Sequence, residues 1–422
     1  MIHLSAFRRR ARTGLSLATL ALLAACGSSS DDGTPAGIDD EPTGSQPETL
    51  PVRGHGAIDG RYTAELTVRG DWAYTSTWGR RGTTIGNAVY VWDVRGATPE
   101  LRDSVLVDGV STLGDVQVSD DGALLVVATE PTGSLAIFSL ADPARPQLLT
   151  RYQTPNVAPG VHTAQVSRVN GVLYAFCAID PRVDSPSRLV IVDLSNPAAP
   201  REVFVRTMGA PFIHDVFVRD GHLFTALWDG GLTIWAIGAN GRGAPASPDS
   251  LGNVRTTGGE AHNVWWLHDP VTGNKRYAFV GQEGPGSIGA ASSGDVHVVD
   301  VSDVAKPREV AIYHDASSGT HNFSVDEASG ILYAAYYDGG VRALDVRGDL
   351  GTCTSAQRAA DGLCDLEKMG RLLARGLADG SPPVYVWGVE WTPGGLYASD
   401  MLGGLWKLGV AGRPSQASRA PR

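Results

Sequence analysis

Leu189–Val203 reads LVIVDLSNPAAPREV, and diverged copies of this stretch recur along the chain. Fuller copies are VYVWDVRGATPEL from Val89, LAIFSLADPARPQLL from Leu135 and VHVVDVSDVAKPREV from Val296. Shorter ones are LTIWAI from Leu232, VRALDV from Val341 and LWKLGV from Leu405. The position of Asp193 is held in turn by Asp93, Ser139, Asp193, Ala236, Asp300, Asp345 and Lys407, at intervals of 46, 54, 43, 64, 45 and 62 residues. Periods of roughly 40–50 residues, each holding several short strands, are the signature of propeller blades. The repeat therefore predicts an all-β, seven-bladed β-propeller over residues 50–412.

Unit four shows the blade plan. His214–Val218 is a short apolar run, Arg219-Asp220-Gly221 a turn, and His222–Trp228 a second strand. Asp229-Gly230-Gly231 is a hairpin turn whose glycines accept positive φ, and Leu232–Ile237 is a third strand. These are strands a, b and c. Strand d follows the proline-bearing turn in the fuller copies, at Arg201–Arg206 and Arg308–Tyr313, where a missing amide donor is tolerated. Unit seven has no strand d after Leu405–Val410, while Thr49–His55 stands before unit one without a partner. An open ring would expose two sheet edges, so the N-terminal segment is expected to complete blade seven. An insertion, GDLGTCTSAQRAADGLCDLEK, separates units six and seven. Its Ala356–Leu377 is the one helix candidate, and Cys353 and Cys364 are expected to form a disulfide across it. Cys177, in the apolar run LYAFCAI, is expected to be buried and inert.

The chain carries a net charge of −10. Residues 1–25 have the parts of an export signal: Arg8, Arg9, Arg10 and Arg12, an apolar Leu15–Leu22, then Leu23-Ala24-Ala25-Cys26. The last four resemble the bacterial lipobox, which implies a lipoprotein signal peptide over 1–25 and a diacylglycerol on Cys26. Gly27 in place of an aspartate favours the outer membrane or cell surface. Cleavage removes four arginines and no acids, leaving 31 basic and 45 acidic residues, a net charge of −14. That balance argues against nucleic acid as a partner. Residues 26–49 lack apolar periodicity and read as a lipidated, flexible tether with a span of about 25 Å. Residues 413–422 read as a disordered tail.

The copies resemble the LVIVD repeat, over about residues 60–410, most specifically in units three and five. The resemblance implies a propeller in exported, often lipid-anchored bacterial proteins. It implies no established activity and brings no catalytic residues.

The starts of strand a align as Tyr62-Thr63, Gly114-Asp115, His162-Thr163, His214-Asp215, His262-Asn263, His321-Asn322 and Trp387-Gly388. Strand a is innermost in a propeller, so His162, His214, His262 and His321 should ring one mouth of the channel. An acid recurs just after strand b: Glu130, Asp180, Asp229, Glu283, Asp338 and Asp400. Strands a and b are antiparallel, so these acids should lie on the same face. One reading is a metal site for zinc, copper or iron drawn from His162, His214, His262, His321, Asp180, Asp229, Glu283 and Asp338. The other is structural: the His214/Asp229 and His321/Asp338 pairs are similar to the His–Asp braces of WD-repeat propellers. Gly284–Gly289 fits G-x-G-x-x-G but lies in a β–β loop with no following helix, so it does not mark a dinucleotide site.

Two functions follow. The chain is a membrane-anchored, monomeric binding or scaffolding module for a protein, glycan or small molecule; or it is a metal-dependent oxidoreductase or hydrolase using the His/acid ring.

Overall fold

A computed structural model describes residues 46–209, 212–284, 292–378 and 382–412. The expected signal peptide, Cys26, most of the expected tether and the expected tail at 413–422 lie outside the described residues. Seven small antiparallel sheets form a ring, one for each repeat unit. In blade four strands a to d are Asp215–Arg219, His222–Ala226, Leu232–Ala236 and Asp249–Val254. The a–b hairpin turns through Asp220 at φ 48° and Gly221 at φ 69°. Two positive φ values give the turn a twist that matches the flanking strands.

Strand c is sandwiched between neighbouring blades and is buried along its whole length in blades one and four, which is why it reads as an unbroken apolar run. Strand d is the outer edge and alternates, as in the mostly exposed Glu100–Leu106. The cores lie between blades. Phe224 and Ile234 of blade four pack with Val264 and Ala278 of blade five.

The repeat aspartate shapes the turn leaving strand c. Its carboxylate accepts the amide two residues on, from Ser195 to Asp193 at 2.8 Å, from Ser302 to Asp300 at 3.1 Å and from Arg347 to Asp345 at 3.0 Å. Such turns are the habit of short polar side chains. Ser139 does the same work in blade two, accepting the Ala141 amide at 3.2 Å.

Closure follows the sequence reading with a shift of boundary. Val52–Ala57 pairs antiparallel with Gly404–Leu408 as strand d of blade seven, with His55 opposite Trp406 and the two rings stacked 3.6 Å apart. Glu48–Thr49, expected in part as tether, instead runs parallel to Ala374–Arg375 in blade six. The buried Leu50 joins the two pairings, its amide donating to the Arg375 carbonyl at 2.8 Å. The N-terminal segment thus clamps blades six and seven together.

The insertion corrects the helix expectation. Ser355–Gln357 forms a single 3₁₀ turn, and Leu372–Gly376 is strand d of blade six. Cys364–Asp365 adds a short parallel strand outside blade five. Gly362 and Gly370 sit at φ 89° and 69° within the proposed helix, a conformation that interrupts helical backbone. The open edges of blades five and six supply the hydrogen bonds instead. Cys353 and Cys364 are joined, with Cα atoms 5.8 Å apart, and Cys177 is buried and free.

Candidate functional site at the propeller channel

The four histidines do meet. Ring centroids are 4.3 Å apart for His162–His214, 4.2 Å for His214–His262 and 4.1 Å for His262–His321. Trp387 continues the series 4.2 Å from His321, and Trp78 closes it at 5.7 Å from Trp387 and 5.5 Å from His162. The result is a belt of six aromatic rings around one end of the channel. Blade two contributes no ring of its own. A Cβ on Gly114 would stand 2.0 Å from the His162 carbonyl oxygen, so only glycine fits there, and Trp78 from the end of strand b in blade one spans the gap.

The belt is electrostatically divided. Burial opposes a charge on His162, but the carboxylates of Glu130, Asp180 and Glu283 outweigh it and raise its pKa to about 10. Its Nδ1 is 2.7 Å from Glu130 and 3.9 Å from Asp180. Arg182 reaches the same acids, 3.3 Å from Asp180 and 3.9 Å from Glu130. Glu130, His162, Asp180 and Arg182 form a charge network in which the cations are already supplied. Burial holds His214, His262 and His321 far below the ordinary histidine range, with neighbouring histidines adding to the effect. These three imidazoles are neutral and able to offer a lone pair.

His214, His262 and Glu283 form a second group, with one donor atom from each lying within 4.8 Å of the others. Tyr337 donates its hydroxyl to Glu283 Oε1 at 2.9 Å. Tyr337 has φ 40°, an unusual backbone for a bulky residue. It is held there by amide bonds in both directions with Val386 of the next blade, at 3.1 and 2.8 Å.

The belt residues Trp78, His162, His214, His262 and Trp387 also line a cup of about 490 Å³ in the channel. Strand a positions one step past the histidines supply Asp115, Thr163, Asp215, Asn263 and Asn322, and Glu65 joins them from blade one. Glu65 accepts from Trp387 Nε1 and Asn322 Nδ2, each at 2.6 Å. Further along lie Glu390, Phe217, Trp265 and Trp391. Burial, reinforced by mutual repulsion, pushes Glu65 and Asp215 well above the carboxylate range. Burial raises Asp115 to about 6 and Glu390 to about 8.

Residues 183–207 and 290–315 match the sequence profile of the LVIVD repeat. The chain is an LVIVD-repeat β-propeller. A comparison with curated proteins found no match.

Within this LVIVD-repeat propeller the sequence-predicted residues separate. Glu283 joins His214 and His262, and Asp180 joins His162. His321 bonds the Trp387 carbonyl through Nδ1 at 2.7 Å. Asp229 accepts the Glu260 amide at 3.4 Å, and Asp338 accepts the Ser318 hydroxyl at 2.8 Å. Among the described residues the His214/Asp229 and His321/Asp338 pairs make no direct hydrogen bond. Asp400 braces its own blade, receiving the Tyr385 amide and Trp406 Nε1 at 2.8 and 3.1 Å. Sequence reasoning missed the polar tier of the cup. Its signal was the second column of the strand a alignment, where Asp115, Thr163, Asp215, Asn263 and Asn322 stand in succession. Sequence reasoning pointed to the Asp180–Ser187 loop and to Tyr337 as candidate pocket walls, but not to the pairing of Arg182 with the acids or of Tyr337 with Glu283, which depends on loop paths that no periodicity encodes.

Proposed function

We propose that this LVIVD-repeat propeller is a membrane-tethered binding module that takes a cationic group of its ligand into the channel cup. The carrying observation is the lining: four carboxyl groups, Glu65, Asp115, Asp215 and Glu390, among aromatic walls, with no lysine or arginine among the described lining residues. A cation entering such a site gains from the carboxylates and from the faces of Phe217, Trp265 and Trp391. Burial raises the pKa of each of these carboxyls, so an entering cation draws protons off those that hold them. Binding is therefore expected to release protons and to tighten as pH rises. Small amines and the lysine or arginine side chains of a partner protein have this chemistry, whereas an anionic ligand does not. The tether ending in Cys26 would hold the propeller to an outer-membrane surface.

Calorimetry with spermidine, in two buffers of different ionisation enthalpy, tests the reading. Expected are saturable heat, proton release, and loss of both in Asp215→Asn. Absence of saturable binding, or equal binding of a neutral polyol of similar length, would overturn it.

A further inference from the structure

We propose that His214, His262 and Glu283 bind one divalent transition-metal ion of the zinc class between blades four and five. The proposal goes beyond the cation cup, since it uses Glu283 and the belt rather than the carboxyls of the channel. Three observations carry it.

The first is the donor set. Two imidazoles and one carboxylate are the ligands of zinc sites that keep an open coordination position, and here they come from three separate points of the fold. His214 and His262 begin adjacent strands a, while Glu283 follows strand b of blade five. His214 Nε2 is 3.8 Å from Glu283 Oε2, and the chosen donor atoms of all three lie within 4.8 Å of one another. Ligand atoms about 2.1 Å from a tetrahedral ion stand roughly 3.4 Å apart. Contraction from 3.8 Å for the His214–Glu283 pair, and from at most 4.8 Å for the others, within reach of side-chain torsions, completes the site.

The second is an unexplained pair of nitrogens. His262 is 3% exposed, and neither of its ring nitrogens has a hydrogen-bond partner of normal geometry among the described residues. A buried polar atom left unpaired costs about 1–3 kcal/mol, and native structures hold few of them. His321, one position further round the belt, shows the contrast: its Nδ1 bonds the Trp387 carbonyl.

The third is the support behind the carboxylate. Tyr337 occupies Glu283 Oε1 at 2.9 Å, which leaves Oε2 facing His214 and fixes the plane of the group. Outer partners of this kind orient metal ligands. The Glu130–His162–Asp180 group also has the spacing of a metal site, but Arg182 and the hydrogen bond to His162 already satisfy it. The geometry points to one ion, in the first group.

The test uses the full chain purified without a histidine tag, stripped with a chelator and titrated with Zn²⁺ against a chromophoric competitor. Expected is one ion per chain with a dissociation constant below about 1 µM, and visible d–d absorption when Co²⁺ replaces Zn²⁺. His262→Asn and Glu283→Gln should each weaken binding by about tenfold or more. Tyr337→Phe, a positioning change, should weaken it by about tenfold. His321→Asn should bind as the parent does, and Asp215→Asn should lose spermidine but keep the metal. Thermal melts establish that each variant is folded. If a histidine variant does not fold, the Co²⁺ spectrum of the parent against Glu283→Gln, a change at a partly exposed side chain, decides. Substoichiometric Zn²⁺, a Co²⁺ spectrum unchanged by Glu283→Gln, or equal loss in His321→Asn would overturn the proposal.

Discussion

Glu390 is a half-buried carboxyl on strand a of blade seven, lining the channel cup, with the Val68 amide donating to it at 2.9 Å. Burial raises its pKa from 4.5 to about 8. The unfolded chain therefore releases this proton near pH 4.5, while the folded chain holds it to about pH 8. A group raised in this way gives its full stability below the unfolded pKa and loses it as pH rises through the folded one. Linkage at 1.36 kcal/mol per unit makes the loss roughly 1 kcal/mol at pH 5 and roughly 4 kcal/mol at pH 8. Glu390→Gln removes the titration and keeps an oxygen for the Val68 amide. Its stability relative to the parent should then climb by roughly 3 kcal/mol between pH 5 and pH 8, whatever the offset at pH 5. For a fold spanning residues 46–412, an unfolding entropy of about 2.1 cal/mol/K per residue converts this to a Tm difference growing by about 4–5 °C. Calorimetric melts of both proteins at four pH values read it directly. A difference in Tm that stays constant across the range would refute the burial argument, and one that shrinks would reverse its sign.

Leu50→Ala should destabilise by about 2–5 kcal/mol, because the buried leucine links the blade six and blade seven pairings; denaturant unfolding checks it, and a change under about 0.5 kcal/mol would contradict the clamp. Gly114→Ala forces a methyl to within 2.0 Å of the His162 carbonyl oxygen and should cost about 1–3 kcal/mol, read from the same unfolding curves. Reducing the Cys353–Cys364 bridge should cost about 3 kcal/mol on the chain-entropy account for an 11-residue separation, visible as a lower Tm in the presence of a reductant and in Cys353→Ser. Cys26→Ser should move the protein from the membrane fraction to the soluble one with its Tm unchanged, and continued sedimentation with membranes would count against lipid anchoring.

The architecture was legible because a propeller repeats one solution seven times. Strand c is buried on both faces, so LVIVD-like runs stand out against the turns, and the aspartate after them recurs because the turn needs an acceptor two residues before an amide. Ring closure was legible as a deficit at one end and a surplus at the other. Its boundary was not, because Leu50 and Glu48–Thr49 bond across to blade six, a contact with no counterpart in the repeat. The insertion misled for a related reason. Ala356–Leu377 has the composition of a helix, yet two blades present open edges to it, and edge pairing gives its backbone partners that a short isolated helix would lack.

The site divides along the same line. Position in the repeat told which residues converge, since strand a always begins at the channel, and the four histidines do form one continuous belt. It could not tell what each would do once there. His162 lies next to Glu130 and Asp180 and carries a charge, whereas His214, His262 and His321 are buried against one another and stay neutral. Equivalent repeat positions thus acquire different chemistry from irregular features: Arg182 in one loop, Tyr337 in a left-handed backbone, and a glycine at 114 that lets Trp78 in. Symmetry supplies the ring, and departures from symmetry give each member of it a distinct charge and partner. A metal or cation site in a propeller of this kind should therefore be sought where the repeat is broken: here, where the neighbouring His214 and His262 share Glu283 and, among the described residues, no lysine or arginine is paired with that acid.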